Sequence, residues 1–263
     1  MAFVDAYADA IRRLDEQATT MGQAASGMLS QALTALAQRN PELARQVLAA
    51  DDDIDAKDAT MERDVLELIS LLPPRQGDLR RLASLLRVAR DLERVADYAC
   101  DIAEVVLELG PAQEGVNLRD VSALGAQVLA MLADALTALD TRDTTLARAV
   151  NRADDGVDAG YARTHQDLVA LMEQHPHQIR EANQLVLVAR YLERVADHAV
   201  NVAEMTVFTV EGRRRPFHHG GDPASPRAPA NPMGPPVEPA SPPDSAVNLE
   251  RERTVPHDSA HTP

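Results

Sequence analysis

The sequence repeats one acidic pattern four times, with two carboxylates separated by four positions. On an α-helix this spacing places both side chains on one face, a single turn apart. The pairs are Asp51 and Asp55, Glu93 and Asp97, Asp154 and Asp158, and Glu193 and Asp197. One turn further along, the stripe continues through Asp101 and Glu104 in the first half and through Asn201 and Glu204 in the second. Converging carboxylates with no lysine nearby require a cation, and an all-oxygen ligand set suits Mg²⁺, Mn²⁺, Ca²⁺ or iron.

A second interpretation is that these carboxylates are only solvated helix faces. Arginines lie three residues before the later carboxylates of each half and are placed to relieve the repulsion as ion pairs: Arg90, Arg94, Arg190 and Arg194. The repetition favours a metal site, because an antiparallel hairpin would bring both pairs of each half together. The predicted metal ligands are the eight paired carboxylates together with Asp101 and Asn201.

No other side-chain arrangement predicts catalysis. His198 follows Asp197, but its counterpart in the first half is Tyr98, so we expect it to cap or pack at the edge of the stripe. The Glu-x-x-His pattern of di-iron bundles is absent. Cys100 aligns with Val200 and is expected to be a buried thiol. Without a nucleophile, a Ser/His/Asp set or a phosphate-binding glycine loop, we predict no catalytic or organic cofactor-binding residue, and no enzyme.

Apolar spacing and proline positions predict the helices that carry these residues. Apolar residues recur three and four positions apart, and Ala, Leu, Arg, Glu and Gln, which favour helices, are abundant. Pro41, Pro73, Pro74, Pro111 and Pro176 interrupt this periodicity, and Pro41 fits the first turn of a new helix. No stretch alternates with a period of two. We therefore predict an all-α fold with six helices, at about 3–39, 42–71, 78–109, 116–140, 144–174 and 178–210.

An internal repeat organises these helices. Residues 32–56 match residues 135–159 at 15 of 25 positions, with an offset of 103. Residues 85–104 match residues 185–204 at 13 of 20 positions, with an offset of 100. Charged positions repeat as faithfully as apolar ones, so shared composition does not explain the match. The repeat predicts two three-helix units, residues 1–110 and residues 111–211.

The remaining residues, 212–263, have a different composition. They hold 12 of the 17 prolines and almost no large apolar side chains, which predicts a disordered tail. The six arginines of the tail balance its six acids, so the net charge of −15 belongs to residues 1–211. This acidity excludes a general nucleic-acid binder, and the single cysteine excludes a disulfide framework.

The sequence also predicts a cytoplasmic protein that does not insert into the membrane. Residues 1–5 lack the basic start of a signal peptide. Residues 17–38 are uncharged, but they are too rich in Thr, Gln and Ser to face lipid.

The repeated segments resemble the signature helices of the PhoU family. The resemblance lies in Leu92-Glu93-Arg94-Val95-Ala96-Asp97-Tyr98-Ala99 and, more closely, in the helix segment from Tyr191 to Glu204. That family has an E/D-x-x-x-D motif, which falls on the four carboxylate pairs here. The resemblance covers about residues 3–210. It implies two antiparallel three-helix bundles related by pseudo-twofold symmetry, with metal bound at the acidic motifs, in some members as multinuclear clusters. The predicted cofactor is a divalent or multinuclear metal, with Mg, Mn, Fe and Zn as candidates.

The resemblance also implies a regulatory function. PhoU-like proteins are cytoplasmic accessory proteins of the phosphate ABC importer and are usually dimeric. They link the ATPase subunit of the importer to a sensor histidine kinase, as negative regulators of phosphate uptake and phosphate-starvation signalling. Two alternatives remain at this stage. One is a Mg²⁺-dependent all-α nucleotide pyrophosphohydrolase, although that family mainly uses i,i+3 acidic spacing. The other is a metal-free helical scaffold.

Overall fold

The computed structural model describes residues 2–71, 74, 76–109 and 118–213. Within these residues the chain forms seven α-helices, a short 3₁₀ turn at Pro176–Gln178 and no strand. The helices are α1 (Ala2–Gln38), α2 (Pro41–Ala49), α3 (Asp51–Leu71), α4 (Gln76–Glu108), α5 (Arg119–Thr141), α6 (Thr144–Gln174) and α7 (Ile179–Glu211). The all-α prediction is therefore confirmed for the described part of the chain.

The first three-helix bundle consists of α1, the α2–α3 segment and α4. Helix α1 packs against α4, α2 and α3, and α4 packs against both α2 and α3. The turn after α1 is encoded locally, because the side chain of Asn40 accepts hydrogen bonds from the backbone N–H groups of Glu42 and Leu43. Pro41 occupies the first turn of α2, as predicted.

The predicted single helix at 42–71 is wrong, because the chain breaks between α2 and α3. Ala50 ends α2, and α3 begins at Asp51. Three consecutive acids, Asp51, Asp52 and Asp53, form the first turn of α3. Negative side chains are favourable at a helix N-terminus, so these acids stabilise a new start at this point. The equivalent α6 of the second half runs without a break.

The second bundle consists of α5, α6 and α7, each of which packs against the other two. The side chain of Asp143 caps α6, as Asn40 caps α2. By length and mean hydropathy (1.5), α5 alone among the described helices would be long and apolar enough to cross a membrane. Its apolar residues instead supply the bundle core, where Val128, Leu132 and Ala135 are fully buried.

The two bundles meet through α4 against α7 and α1 against α5. Two arginines at equivalent positions, directly after α1 and after α5, form ion pairs across this interface. Arg39 and Arg142 both adopt a left-handed backbone conformation, with φ of 48° and 56°. Arg39 forms an ion pair with Glu181, whose side chain is only 5% exposed. Arg142 reaches Asp15 at 3.6 Å, and Asp15 also pairs with Arg81.

These contacts follow the two sequence offsets and give the described chain its pseudo-twofold symmetry. Helix α1 corresponds to α5, α2 and α3 to α6, and α4 to α7. The predicted boundary at 110/111 lies outside the described residues, as does the tail after Arg213.

Candidate functional site

In the first bundle, the predicted acidic residues lie where α3 packs against α4. Asp51 is near enough to Asp97 for their repulsion to contribute to a raised pKa at Asp51, although burial contributes more. Burial, followed by repulsion from Asp97, likewise raises the pKa of Glu93. Asp55 is exposed, and it lies near Asp51 on the same helix. The α3–α4 hairpin therefore gathers both first-half pairs into one negative region.

Two arginines of α4 supply the positive charge beside these carboxylates. Arg90 donates to the Oε1 atom of Glu93 at 2.9 Å and lies 3.7 Å from Asp58 on α3. Arg94 donates to Asp97 at 2.7 Å. The predicted i,i+3 ion pairs are present, and Arg90 also bridges two helices.

The second bundle repeats the arrangement on α6 and α7. Burial, and then repulsion from Asp197, raises the pKa of Glu193, and the charge of Asp158 on α6 raises it further. Arg190 donates to Glu193 at 2.7 Å, and Arg194 donates to Asp197 at 3.3 Å. Asp154 is buried at 3% exposure.

The two acidic regions differ at the position of the middle helix that contacts the first arginine of the last helix. Asp58 of α3 corresponds to Tyr161 of α6. Arg90 approaches the carboxylate of Asp58, whereas the guanidinium of Arg190 lies 5.9 Å from the centre of the Tyr161 ring. This second contact is a cation–π interaction. The first acidic region thus has a carboxylate, that of Asp58, at a position where the second has an aromatic ring.

The side chains offer the donors that a divalent cation needs, although they are not closed around one. Among the described residues, no group of three or more His, Cys, Asp or Glu side chains is close enough to hold a metal ion as it stands. The buried Oε2 atoms of Glu93 and Glu193 nevertheless both lack a hydrogen-bond partner. Their nearest cationic groups are the Nε atoms of Arg94 and Arg194, at 3.4 and 3.9 Å. An orphaned carboxylate oxygen at equivalent positions of both bundles fits a cation that replaces the arginine contacts.

Cys100 lies beside the first acidic region. Its Sγ atom donates to the carbonyl oxygen of Val47 at 4.0 Å, and Asp51 lies near enough for its charge to act on the thiol. Burial, followed by the negative charge of Asp51, raises the pKa of this thiol to about 12. The thiol is therefore protonated and is a poor nucleophile at neutral pH. It is half-buried, whereas the sequence predicts a buried thiol.

Asn201 and Asp101, the outer predicted ligands, lie toward the interface between the bundles. Asn201 donates through its Nδ2 atom to Asp91 at 3.0 Å, and His198 contacts the same Asp91 oxygen through Nδ1 at 2.8 Å. At the pseudo-equivalent place, the charge of Asp101 contributes to a raised pKa at Tyr191. Their assignment as metal ligands stays a prediction.

Aromatic rings occupy the middle of this α4–α7 interface. The Tyr98 ring lies 5.9 Å from the Tyr191 ring and 5.8 Å from the His198 ring. His198 was expected at the edge of the acidic stripe, and it instead joins the two bundles through Asp91.

Sequence reasoning missed two residues of these regions, Asp58 and Asp91. Neither is repeated, because their counterparts are Tyr161 and Tyr191. A helical-wheel signal was present for Asp58, which lies three residues after Asp55 and seven after Asp51 on the same face.

Comparison with known proteins identifies the family. The PhoU domain matches residues 18–106 and 121–206, which include both acidic regions. The chain belongs to the PhoU family. It is 33% identical over 210 residues to the phosphate-specific transport system accessory protein PhoU homolog of Caulobacter vibrioides, a match that covers 80% of this chain and 91% of that protein.

Two solved PhoU structures share the fold. The phosphate transport system regulatory protein PhoU from Streptococcus pneumoniae superposes with a TM-score of 0.75 at 27% identity, covering 80% of this chain and 99% of that chain. PhoU from Pseudomonas aeruginosa gives a TM-score of 0.76 at 28% identity, covering 79% and 100%. These matches confirm the predicted PhoU resemblance. The prediction that the chain is not an enzyme is confirmed by its family, whose members are named as accessory and regulatory proteins.

Proposed function

We propose that this PhoU-family chain is a cytoplasmic negative regulator of phosphate uptake and phosphate-starvation signalling. When phosphate is plentiful, it binds the ATPase subunit of the phosphate importer and a sensor histidine kinase, and it holds both in a low-output state. The observation that carries this proposal is the match to a named phosphate-transport accessory protein over 91% of that protein's length. In solution the regulator is a homodimer.

The two acidic regions are the metal-binding part of this proposal. Glu93 and Asp97 with Asp51 and Asp55 would hold the cation in the first bundle, and Glu193 and Asp197 with Asp154 and Asp158 in the second. A bound Mg²⁺, Mn²⁺, Fe or Zn ion would supply positive charge to a strongly acidic surface. This charge matters for function, because a chain of net charge −15 repels phosphate and other anionic groups.

The regulatory role is tested by deleting the gene in the native organism. Alkaline phosphatase expression in phosphate-rich medium should rise in the deletion strain and return to the parental level on complementation with the wild-type gene. Unchanged expression in the deletion strain would contradict the proposal.

Co-purification of a tagged chain with the importer ATPase subunit and the kinase, from cells grown with abundant phosphate, checks the partners. Light scattering of the purified chain checks the dimer.

Metal binding is tested separately on purified protein. Elemental analysis identifies the metal carried from the cell, and titration with Mn²⁺ or Fe²⁺ measures uptake. A Glu93→Gln/Glu193→Gln variant should lose most of this uptake, whereas the exposed pair Asp134→Asn/Asp155→Asn removes the same charge elsewhere and should keep it. Equal, negligible uptake by the wild type and the Glu93→Gln/Glu193→Gln variant would show that there are no metal sites.

A further inference from the structure

Arg90 already occupies the position of a cation in the first acidic region. Its guanidinium lies between a carboxylate of α4 and one of α3, at 2.9 Å from Glu93 and 3.7 Å from Asp58. The Arg90 side chain is 55% exposed, whereas that of Glu93 is only 10% exposed. The arginine can therefore swing into solvent while the carboxylate stays fixed in the bundle. Its departure would leave the Oε1 atom of Glu93 without a hydrogen bond, while Oε2, which has none, would keep only the Arg94 guanidinium at 3.4 Å.

The second bundle holds its arginine differently. Arg190 contacts Glu193 at 2.7 Å, and its guanidinium stacks on Tyr161 where the first bundle has Asp58. The release of Arg190 breaks one ion pair and one cation–π contact. The release of Arg90 frees a carboxylate on each of two facing helices.

The carboxylates available to a cation consequently differ between the bundles. Counting the paired motif residues and Asp58, the first region can present five: Asp51, Asp55, Asp58, Glu93 and Asp97. The paired motif residues of the second region are four: Asp154, Asp158, Glu193 and Asp197. Burial and the charges of Glu62 and Asp55 raise the pKa of Asp58 despite the nearby Arg90, so Asp58 lies within the negative field of the first region.

We propose that the two acidic sites are not equivalent: the first binds a divalent cation more tightly because Asp58 adds a carboxylate there, and Arg90 is the built-in competitor that the cation displaces. This inference rests on the proposed metal binding. It assigns Asp58 and Arg90 to the control of affinity, and it gives Tyr161 the opposite effect at the second site.

Single-site proteins separate the two affinities. The Glu193→Gln/Asp197→Asn variant retains only the first site, and the Glu93→Gln/Asp97→Asn variant retains only the second. Mn²⁺ titration by calorimetry should show tighter binding at the first site, by at least about tenfold, since one added unit charge near a divalent ion contributes that much or more. In the first-site protein, Asp58→Asn should lower the Mn²⁺ affinity to that of the second site. In the second-site protein, Tyr161→Asp should raise the Mn²⁺ affinity to that of the first site.

Competition by Arg90 is measured in the same first-site protein. Arg90→Gln should tighten Mn²⁺ binding several-fold. The matched control is Arg87→Gln, which removes the same charge from an exposed position one turn earlier on α4 and should change the affinity far less. Circular dichroism and thermal unfolding confirm that each variant remains folded.

The possible failures are distinguishable. If both single-site proteins bind Mn²⁺ with equal affinity, Asp58→Asn leaves that affinity unchanged and Arg90→Gln behaves like Arg87→Gln, the inference is wrong while metal binding stands. Mn²⁺ uptake by neither site in the wild-type chain would contradict the metal sites themselves and overturn the inference with them.

Discussion

Gly22 on α1 lies directly beneath the side chain of Leu136 on α5. A Cβ atom built at Gly22 would overlap the Cδ2 atom of Leu136. The pseudo-equivalent contact is also present, because a Cβ at Gly125 of α5 would lie 2.9 Å from Leu33 of α1. At each of these glycines, a leucine of the opposite helix fills the space that a side chain would occupy. Helices α1 and α5 can therefore approach closely along the interface between the bundles.

Gly22→Ala is predicted to destabilise the protein through this contact. Leu136 must move to make room, which costs about 1–3 kcal/mol as overpacking, while alanine recovers roughly 1 kcal/mol over glycine in a helix, so the net loss is up to about 2 kcal/mol. The matched control is Gly27→Ala on the same helix, where a Cβ would meet nothing within 4 Å and stability should rise. Urea unfolding measures both changes. In a Leu136→Ala background Gly22→Ala should no longer destabilise, and an equal loss with and without Leu136 would rule out the contact as the cause.

Arg39→Ala is predicted to cost about 3 kcal/mol of stability. The substitution leaves the side chain of Glu181, which is only 5% exposed, without its partner across the interface, and an uncompensated buried charge is expensive. Because Ala and Arg are similarly disfavoured at positive φ, the backbone contributes little to the difference. Arg45→Ala removes an exposed ion pair with Glu42 and should change stability by less than about 1 kcal/mol. Comparable losses for the two variants in chemical denaturation would show that the Arg39 pair is not special.

The metal-free protein is predicted to become more stable as the pH falls from about 7 toward about 4, because five of its carboxyl groups have raised pKa values in the folded state. The pKa values of Asp51, Asp58, Glu93, Asp101 and Glu193 are all raised, with burial as the first cause. The folded protein therefore binds protons more readily than the unfolded chain. Stability from these groups is fully present below their unfolded pKa values and is lost as the pH rises through the folded ones.

The test compares melting temperatures across this pH range for the wild type and the Glu93→Gln/Glu193→Gln variant. The wild type should gain stability relative to the variant on acidification, because two of the titrating groups are absent from the variant. Parallel curves would contradict the raised pKa values at Glu93 and Glu193.

Cys100 is predicted to resist alkylation in the folded protein. With its pKa raised to about 12, the thiolate fraction at pH 8 falls about a thousandfold relative to a thiol at pKa 9. Iodoacetamide labelling followed by mass spectrometry should be far slower in buffer than in urea. Asp51→Asn should accelerate labelling of the folded chain, because it removes the largest charge contribution to the shift, whereas the exposed Asp53→Asn should not. Equal rates in buffer and urea would show an ordinary thiol.

Asp91→Ala is predicted to weaken the α4–α7 interface by about 1–2 kcal/mol. Asp91 accepts from Asn201 and contacts His198, and its side chain is only 16% exposed. Removing the carboxylate leaves both partners without their acceptor. The control Asp134→Ala deletes an exposed acid from α5, and its effect on urea unfolding should be within about 0.5 kcal/mol. Indistinguishable losses for the two substitutions would assign no stabilising role to the Asp91 contacts.

Helical periodicity and the repeat were sufficient to predict most of the fold. Pro41, Asn40 and Asp143 mark helix starts through local chemistry, so those boundaries were readable. The break at Ala50 was not predicted, because no glycine or proline accompanies it and the apolar spacing continues across it. Of the three acids that begin α3, only Asp51 is singled out from the sequence, as a metal ligand, although all three are favourable residues for a helix start.

For the candidate site, the internal repeat identified the residues that occur in both halves of the chain. It gave no signal for residues that occur in only one half. Glu93, Asp97, Glu193 and Asp197 were found because they recur. Asp58 was overlooked because its counterpart is Tyr161. The contact of His198 and Asn201 with Asp91 depends on packing between bundles, which spacing along a single helix cannot reveal.

The α4–α7 interface has a consequence for how this chain can diverge. In a homodimer of identical three-helix units, any substitution would appear on both sides of the twofold axis. Here the two units are covalently joined, so one side can carry Asp91 with His198 while the other carries Tyr191 with Tyr98. The tether also gives each unit an effective concentration in the millimolar range or above. Contacts too weak to hold separate subunits together therefore suffice here, and each half is free to specialise.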